Sequence, residues 1–277
     1  MSKDHHVPSL LRGTLVGVGL VITVVVATTG AAHAAARAGR AVLSGRAATT
    51  RPALSADNYY NRGRDEVNKG RYRAAIADLT QALRIDPGDE EAYVERGIAK
   101  RHLGDYTGAL SDYNHAIAID PKDATAYYDR GLDRSYSGDD RGAITDYNTA
   151  IHLNPTDPDP YYERGLAHFN LGKYTLAVAD YTTALRYNSK DPDTYYGRGV
   201  AKRHLHDYVG AIADYTMAIR LRPTFADAFY ARGLAHDYNA ETTAAAADYR
   251  TAYRLYTQQH DTQGAKDALD ALHNLGQ

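Results

Sequence analysis

Paired charges recur along the sequence, and they are the first residues whose chemistry can be interpreted. Six arginines that stand directly before a glycine recur with a step of 34 residues, and six aspartates recur with the same step. The arginines are Arg62, Arg96, Arg130, Arg164, Arg198 and Arg232, and the aspartates are Asp78, Asp112, Asp146, Asp180, Asp214 and Asp248. Guanidinium and carboxylate groups form strong, often bidentate pairs, so this pattern predicts salt bridges between helices.

A second basic or titratable side chain follows most of these arginines four residues later. These side chains are Lys100, Arg134, His168, Lys202 and His236. Like charges four residues apart on a helix repel each other, so the pattern requires an acidic partner. We predict that each aspartate pairs with the arginine of the following repeat, for example Asp78 with Arg96. The resulting structural ladder consists of Arg96, Arg130, Arg164, Arg198 and Arg232 with Asp78, Asp112, Asp146, Asp180 and Asp214.

The two ends of this ladder need other partners. Arg62 has no preceding aspartate, and we expect it to meet Glu66 one helical turn away. Asp248 has no following arginine, and we expect it to meet Lys266. A stripe of arginines that binds an acidic partner is the functional alternative to the ladder.

The remaining reactive side chains do not favour catalysis or metal binding. His102 and His204 are three repeats apart, while His204 and His206 would point to different sides of a helix. Cysteine is absent, and the net charge of -2 at pH 7 gives no basic footprint for nucleic acid. No serine-centred nucleophile motif or phosphate-binding glycine loop is present. We therefore expect no enzyme, no cofactor, no metal site and no nucleic-acid partner.

The 34-residue step defines the elements that must position these charges. Six units result: 56–89, 90–123, 124–157, 158–191, 192–225 and 226–259. In the second unit Ala109, Tyr113 and Ala116 have helical spacing, Gly104 precedes a break, and Pro121 ends the second helix. We expect the small Gly97 of the first helix to face Ala109, so that the two helix axes approach closely.

These aromatic, glycine, alanine and proline positions resemble those of the tetratricopeptide repeat family. The resemblance implies an all-α, right-handed superhelical solenoid of six helix-turn-helix units. A few residues depart from the family pattern. Leu79 replaces the aromatic residue of the second helix, Ser189 and Thr257 replace the proline, and His206 and Ala240 replace the glycine of the turn. They concern local and edge geometry rather than the fold.

Residues 260–277 follow the last unit and have an amphipathic pattern. Ala265, Ala268, Leu269, Leu272 and Leu275 fall on one helical face. This pattern predicts a C-terminal helix that caps the exposed end of the array. A docking helix for a partner is the alternative.

The resemblance also implies that the first helices line a concave groove that receives a peptide or protein. The expected groove residues are Tyr128, Tyr162, Tyr196, Tyr230, Arg101, His102, Tyr136, Asn170, Arg203 and His204. Tyrosines provide rigid apolar area and hydroxyl groups that suit such recognition, although their rings could instead pack on one another. The motif Arg-Gly-x-Ala-Lys-Arg-His-Leu occurs twice, so two basic spots are expected to favour a partner with spaced acidic residues.

The sequence pattern of residues 1–36 predicts export or membrane attachment. Leu15 to Ala27 is apolar, and Ala32-His33-Ala34 is a small-x-small site typical of signal peptides. An uncleaved membrane helix remains the alternative. Residues 37–55 form a flexible linker by composition. We expect a bacterial periplasmic or envelope adaptor that is not catalytic, or else a structural spacer or self-associating scaffold.

Overall fold

The computed structural model describes residues 54–276, and thirteen α-helices without any strand make up this part of the chain. The first helices of six pairs are α1 (Ala56–Asn68), α3 (Glu90–His102), α5 (Ala124–Tyr136), α7 (Pro158–Asn170), α9 (Pro192–His204) and α11 (Ala226–Tyr238). The second helices are α2 (Tyr72–Ile85), α4 (Tyr106–Ile119), α6 (Asp140–Leu153), α8 (Tyr174–Tyr187), α10 (Tyr208–Leu221) and α12 (Thr242–Gln258). A last helix, α13 (Thr262–Asn274), follows the sixth pair.

The N-terminal segment predicted to direct export or anchoring, and nearly all of the predicted linker, lie outside the described residues. Within residues 54–276, none of the helices has the length and apolar character needed to cross a bilayer.

Aspartates at the helix starts explain where most helices begin. A carboxylate at the N-cap accepts hydrogen bonds from backbone N–H groups that have no partner inside the helix. The N-caps of α3, α5, α7 and α9 are Asp89, Asp123, Asp157 and Asp191. Those of α4, α6, α10 and α13 are Asp105, Asp139, Asp207 and Asp261.

The departures from the repeat pattern have local consequences. His206 and Ala240 replace the turn glycine and still adopt φ values of 61° and 60°, a left-handed conformation that glycine takes without strain. Helix α12 has 17 residues, whereas the other second helices have 14. Thr257 stands there in place of the proline and permits the extension, although α8 ends after 14 residues with Ser189 at the same place.

The two helices of a pair approach closely at the glycine that follows each ladder arginine. A Cβ atom added to Gly97 would lie 2.6 Å from Cε1 of Tyr113, and one added to Gly63 would lie 2.6 Å from Cγ of Leu79. The nearest neighbour of Gly97 is thus the Tyr113 ring and not Ala109, so the glycine makes room for a large side chain on the second helix. Ala109 is buried in the same cluster.

The packing of consecutive pairs gives the array a defined inner side. Each first helix contacts the first helix of the next pair, from α1 with α3 through α9 with α11. Consecutive second helices in the described part have at most marginal contact with one another. The first helices are therefore crowded together and line the inner side of the curve, while the second helices form the outer side.

Helix α13 packs against the end of the last pair. Ala268 and Leu272 are buried in one cluster with Tyr230 and Tyr256, and Ala265 packs against the same cluster. Leu269, expected on the same face, is instead 38% exposed. The apolar face of α13 is therefore narrower than the sequence pattern indicated.

Candidate functional site

The arginines and aspartates of the structural ladder join the two helices of each pair. Nε of Arg96 donates to Oδ2 of Asp112 at 2.9 Å, and Nη2 donates to Oδ1 at 2.7 Å. Arg130 binds Asp146 in the same two-pronged way at 3.0 and 2.6 Å. Every pair repeats this arrangement, with 16 residues between arginine and aspartate. The predicted pairing of each aspartate with the arginine of the following repeat is therefore wrong.

The physical reason lies in the glycine and tyrosine contact. Arg96 directly precedes Gly97, and Asp112 directly precedes Tyr113. Because Gly97 and Tyr113 touch, the side chains just before them on the two helices are also neighbours. The pairing was therefore set by a contact whose partner the sequence analysis had not identified.

The predicted end effects change accordingly. Arg62 binds Asp78 of its own pair, and Glu66 is approached instead by Arg71 at 3.4 Å and Lys69 at 3.8 Å. At the other end, Asp248 pairs with Arg232, whereas Lys266 lies 2.7 Å from Asp270.

In five of the pairs the buried ladder carboxylate also contacts a second basic or titratable side chain. Nζ of Lys100 lies 2.7 Å from Oδ2 of Asp112, and Nη1 of Arg134 lies 2.7 Å from Asp146. The equivalent contacts are 2.8 Å for His168 with Asp180, 2.8 Å for Lys202 with Asp214, and 3.8 Å for His236 with Asp248. Where the second side chain is lysine or arginine, one carboxylate thus lies between two positive side chains that would otherwise repel each other.

The ladder arginines also join neighbouring pairs, through neutral side chains. Nη1 of Arg96 donates to Oγ1 of Thr80 on the preceding second helix at 3.2 Å. The four later arginines donate in the same way to Asn114, Asn148, Thr182 and Thr216, at 2.6 to 3.1 Å. These acceptors stand two residues after the ladder aspartates. Their 34-residue period was the signal that sequence reasoning missed.

An aromatic ring completes the surroundings of each ladder arginine. The guanidinium carbon of Arg96 lies 5.4 Å from the ring centre of Tyr93, three residues earlier, and the other pairs repeat the contact. With a carboxylate, a neutral acceptor and a ring around it, a ladder arginine holds helices together.

The tyrosines expected in the groove pack against rings of their own pair. Tyr128 lies 6.1 Å from Tyr147, and Tyr162 lies 5.7 Å from Tyr181, measured between ring centres. Tyr196 and Tyr230 make the same contact with Tyr215 and Tyr249 and are only 7% and 5% exposed. Tyr128 and Tyr162 remain half-buried. The tyrosine column thus belongs partly to the core and partly to the inner face.

The residues at the ends of the first helices lie against the preceding pair. The His102 ring stacks on Tyr72 at 4.3 Å, and the His204 ring stacks on Tyr174 at 4.5 Å. Asn170 donates to Oδ1 of Asp140 at 3.3 Å. Burial, and then the adjacent Arg101 or Arg203, lowers the pKa of both histidines. Tyr136 is 59% exposed and offers the most open ring among the expected groove residues.

Arg101 is not the free basic spot that the repeated motif predicted. Its Nη1 atom lies 2.9 Å from Oδ1 of Asp129 and 3.5 Å from Oδ1 of Asp133, both on α5. The Arg101 side chain is 14% exposed, and Asp133 is fully buried. Two carboxylates from the next pair therefore neutralise this arginine.

Arg203, at the equivalent place three pairs later, has different neighbours. Within residues 54–276, no carboxylate oxygen lies within 4.0 Å of it, and its buried Nε has no hydrogen-bond partner. The two basic spots expected from the motif are thus one neutralised arginine and one arginine without a counterion.

Three carboxylates with raised pKa values stand on the consecutive first helices α3, α5 and α7. Burial raises the pKa of Glu95, Asp133 and Glu163 to about 7 each, and neighbouring carboxylates add to the rise, while nearby arginines oppose it. Sequence reasoning did not single out these residues. The available signal was Asp133, because the second, fourth, fifth and sixth units have alanine at that place: Ala99, Ala167, Ala201 and Ala235.

These carboxylates do not form a metal site. In the part of the chain that the structure describes, no group of three or more His, Asp or Glu side chains is placed to hold a metal ion. The first helices instead present rings, carboxylates and the Arg203 guanidinium.

Family models agree with this architecture. A model described as tetratricopeptide repeat matches residues 60–124 and 162–224, and one described as TPR repeat matches residues 136–172. Together they cover more than half of the chain. No curated protein sequence matches the chain.

Several solved structures share the fold. The Pseudomonas aeruginosa pilF structure aligns with a TM-score of 0.67 at 19% identity, covering 76% of this chain and 95% of that one. YrrB, described as a TPR protein with an unusual peptide-binding site, aligns at 0.59 with 22% identity, covering 69% and 97%. MamA from Desulfovibrio magneticus aligns at 0.57 with 20% identity, covering 61% and 96%. At these identities the likeness concerns the fold alone.

Proposed function

Because the chain belongs to the tetratricopeptide repeat family, we propose that it is a protein-interaction scaffold that binds a peptide or protein along its inner face. The observation that carries the proposal is the crowding of the first helices, which creates one continuous inner side over six pairs. A solenoid of this kind provides an extended concave surface for a partner. The scaffold does no chemistry of its own.

The side chains on the inner face support this assignment. Tyr128 and Tyr162 are half-buried, and Tyr136 is largely exposed, so apolar rings remain available for contact. Tyrosine supplies a large contact area at a small cost in side-chain entropy. The peptide-binding site named for YrrB is a property of that protein, and it makes peptide binding a reasonable choice for this one.

We further propose that the scaffold acts in a bacterial cell envelope, exported or tethered through residues 1–36. The support is the apolar run from Leu15 to Ala27, followed by Ala32-His33-Ala34. Fractionation of cells that express the full-length chain tests this part: recovery from the cytoplasm alone contradicts it.

Self-association is the second candidate, and one observation favours it. Large apolar side chains are exposed on the second helices, among them Val209 at 69% and Leu176 at 48%. In that case contacts between arrays on the outer side would replace a partner on the inner side. Mass measured over a range of protein concentrations separates the candidates, because an adaptor keeps its mass constant until a partner is added.

Site-specific photocrosslinking tests which side carries the partner. A photoreactive phenylalanine analogue replaces Tyr136 on the inner side, and Tyr253 on second helix α12 serves as the matched control. Both tyrosines are exposed, at 59% and 40%. We expect one defined adduct at position 136 that also forms with the purified partner and is absent at position 253. Adducts only at position 253, or only between copies of the chain, contradict the proposal.

A further inference from the structure

The two copies of the motif Arg-Gly-x-Ala-Lys-Arg-His-Leu place Arg101 and Arg203 at the same point of their helices. Arg101 is close to the end of α3, and Arg203 is close to the end of α9, three pairs later. The following first helices, α5 and α11, differ in the residues that they present to these arginines.

The α5 helix supplies Arg101 with two carboxylates. Asp129 lies 2.9 Å and Asp133 lies 3.5 Å from its guanidinium nitrogen. At the corresponding places, α11 has Ala231 and Ala235. Arg203 therefore lacks the ion pairs that its counterpart makes.

No other carboxylate in the described part of the chain takes their place, and the polar group that comes closest to pairing with Arg203 is the neutral hydroxyl of Tyr215. No carboxylate approaches Arg203 within 4.0 Å, and its Nε atom is buried without a hydrogen-bond partner. A guanidinium in such surroundings has lost part of its hydration and gained no counterion.

The charge of Arg203 acts on three buried tyrosines. Its positive charge opposes the rise that burial causes in the pKa values of Tyr196, Tyr215 and Tyr230, so these three rings lie within its electrostatic reach. The Arg203 side chain is partly buried, and its Nε atom is shielded from water. A guanidinium that is partly shielded from water attracts an anion more strongly than one in bulk water.

We propose that Arg203 is a carboxylate-binding site on the inner face, which takes an aspartate or glutamate side chain of the partner protein. The inference rests on the proposed function, and it adds the chemistry of the partner. The chain itself provides the template, because the Arg101 contact with Asp129 shows that a carboxylate fits an arginine at this point of the repeat. The planar guanidinium suits a carboxylate, which it can bind through two parallel hydrogen bonds.

A displayed library of random peptides with amidated C-termini, selected on the full-length protein, tests the inference. Amidation removes the terminal carboxylate, so any acidic preference arises from side chains. We expect aspartate and glutamate to be enriched at one position of the selected peptides. A parallel selection with free C-termini shows whether a terminal carboxylate can replace the side chain.

Three variants then connect the acidic position to Arg203. Arg203→Gln removes the charge, and Ala231→Asp supplies the internal carboxylate that α5 supplies to Arg101. Each should weaken the tightest acidic peptide roughly tenfold or more, which is typical for the loss of a charge-assisted pair. Ala231→Asn has nearly the same shape as Ala231→Asp without its charge and should bind within about twofold of the wild type.

The outcomes separate the two proposals. Peptides that crosslink at position 136 but show no acidic preference, or that bind Ala231→Asp as tightly as the wild type, overturn the carboxylate site and leave inner-face binding intact. Failure to select any peptide that crosslinks there contradicts the proposed function and with it the inference. The comparison of Ala231→Asp with Ala231→Asn remains decisive if Arg203→Gln fails to fold.

Discussion

Asp112 accepts two hydrogen bonds from Arg96 of its own helix pair and also lies 2.7 Å from Nζ of Lys100. One buried carboxylate thus neutralises two cations that stand four residues apart on the facing helix. The arginine–aspartate pair recurs in every helix pair and fixes how the two helices align along their length.

We expect the buried ion pairs of the ladder to contribute more to the free energy of unfolding than the exposed pair does. Asp112→Asn leaves Arg96 and Lys100 without a counterion in a site where the aspartate is 3% exposed, and should cost about 3 to 5 kcal/mol of stability. Asp78→Asn is the matched control, because Arg62 and Asp78 are 50% and 14% exposed against 16% and 3% for Arg96 and Asp112. Asp78→Asn should therefore cost less than Asp112→Asn, about 1 kcal/mol. Urea unfolding followed by circular dichroism compares the two, and equal shifts contradict this account.

The close approach of the helices predicts the effect of a single methyl group. A Cβ at Gly131 would lie 2.6 Å from Cε1 of Tyr147, whereas one at Gly197 would lie 3.1 Å from Cζ of Tyr181. Gly131→Ala should therefore destabilise by about 1 to 3 kcal/mol through overpacking. Gly197→Ala should change stability by less than about 1 kcal/mol, because the higher helix propensity of alanine offsets the tight contact with Tyr181. Thermal melting of both variants provides the test. A larger loss of stability for Gly197→Ala than for Gly131→Ala would contradict the close contact of Gly131 with Tyr147.

The turn of the sixth pair is strained at Ala240, with a φ of 60°. Ala240→Gly should raise stability by about 1 kcal/mol, because glycine adopts this conformation without a Cβ clash. The reverse change at an equivalent turn, Gly104→Ala at a φ of 80°, should lower stability by a similar amount. If both changes shift the melting temperature in the same direction, the backbone conformation does not control these turns.

The buried carboxylates predict how stability depends on pH. The pKa of Asp133 is raised to about 7, chiefly by burial, so the folded chain holds a proton that the unfolded chain releases near pH 4. Protonation then favours the folded state, and stability should fall as pH rises from about 4 to about 7. Glu95 and Glu163 contribute in the same direction.

The variant Asp133→Ala isolates one of these groups. It removes a buried carboxylate whose oxygens have no hydrogen-bond partner, and alanine occupies this place in four other units. At pH 8 the variant should be more stable than the wild type by about 1 to 3 kcal/mol, with a smaller gain at pH 5. Urea titrations at both pH values provide the test. A variant less stable than the wild type at pH 8 would mean that the Arg101 contact outweighs the burial cost.

The periodicity of the sequence was sufficient to predict the helix pairs and the family. The 34-residue step and the residues Gly97 and Tyr113 follow from local patterns, which a single sequence displays. The pairing across the ladder did not follow, because it depends on which large residue meets the glycine. That contact joins residues 16 apart on two helices, and the sequence spacing allowed either the same pair or the next one.

Which arginine of the inner face has an acidic partner could not be predicted from the sequence either. Arg101 and Arg203 lie in identical motifs, and only the packing of α5 and α11 distinguishes them. The difference becomes visible once Asp129 and Ala231 are known to occupy equivalent places opposite these arginines. Sequence alone identified the arginines and left their partners undetermined.

Hydrogen exchange on the full-length protein, alone and with the tightest selected peptide, tests most directly whether the inner face is the binding face. We expect slower exchange in the first helices α5, α7 and α9, with little change in the second helices that pair with them. Protection confined to the second helices would contradict it and would place binding on the outer side of the array.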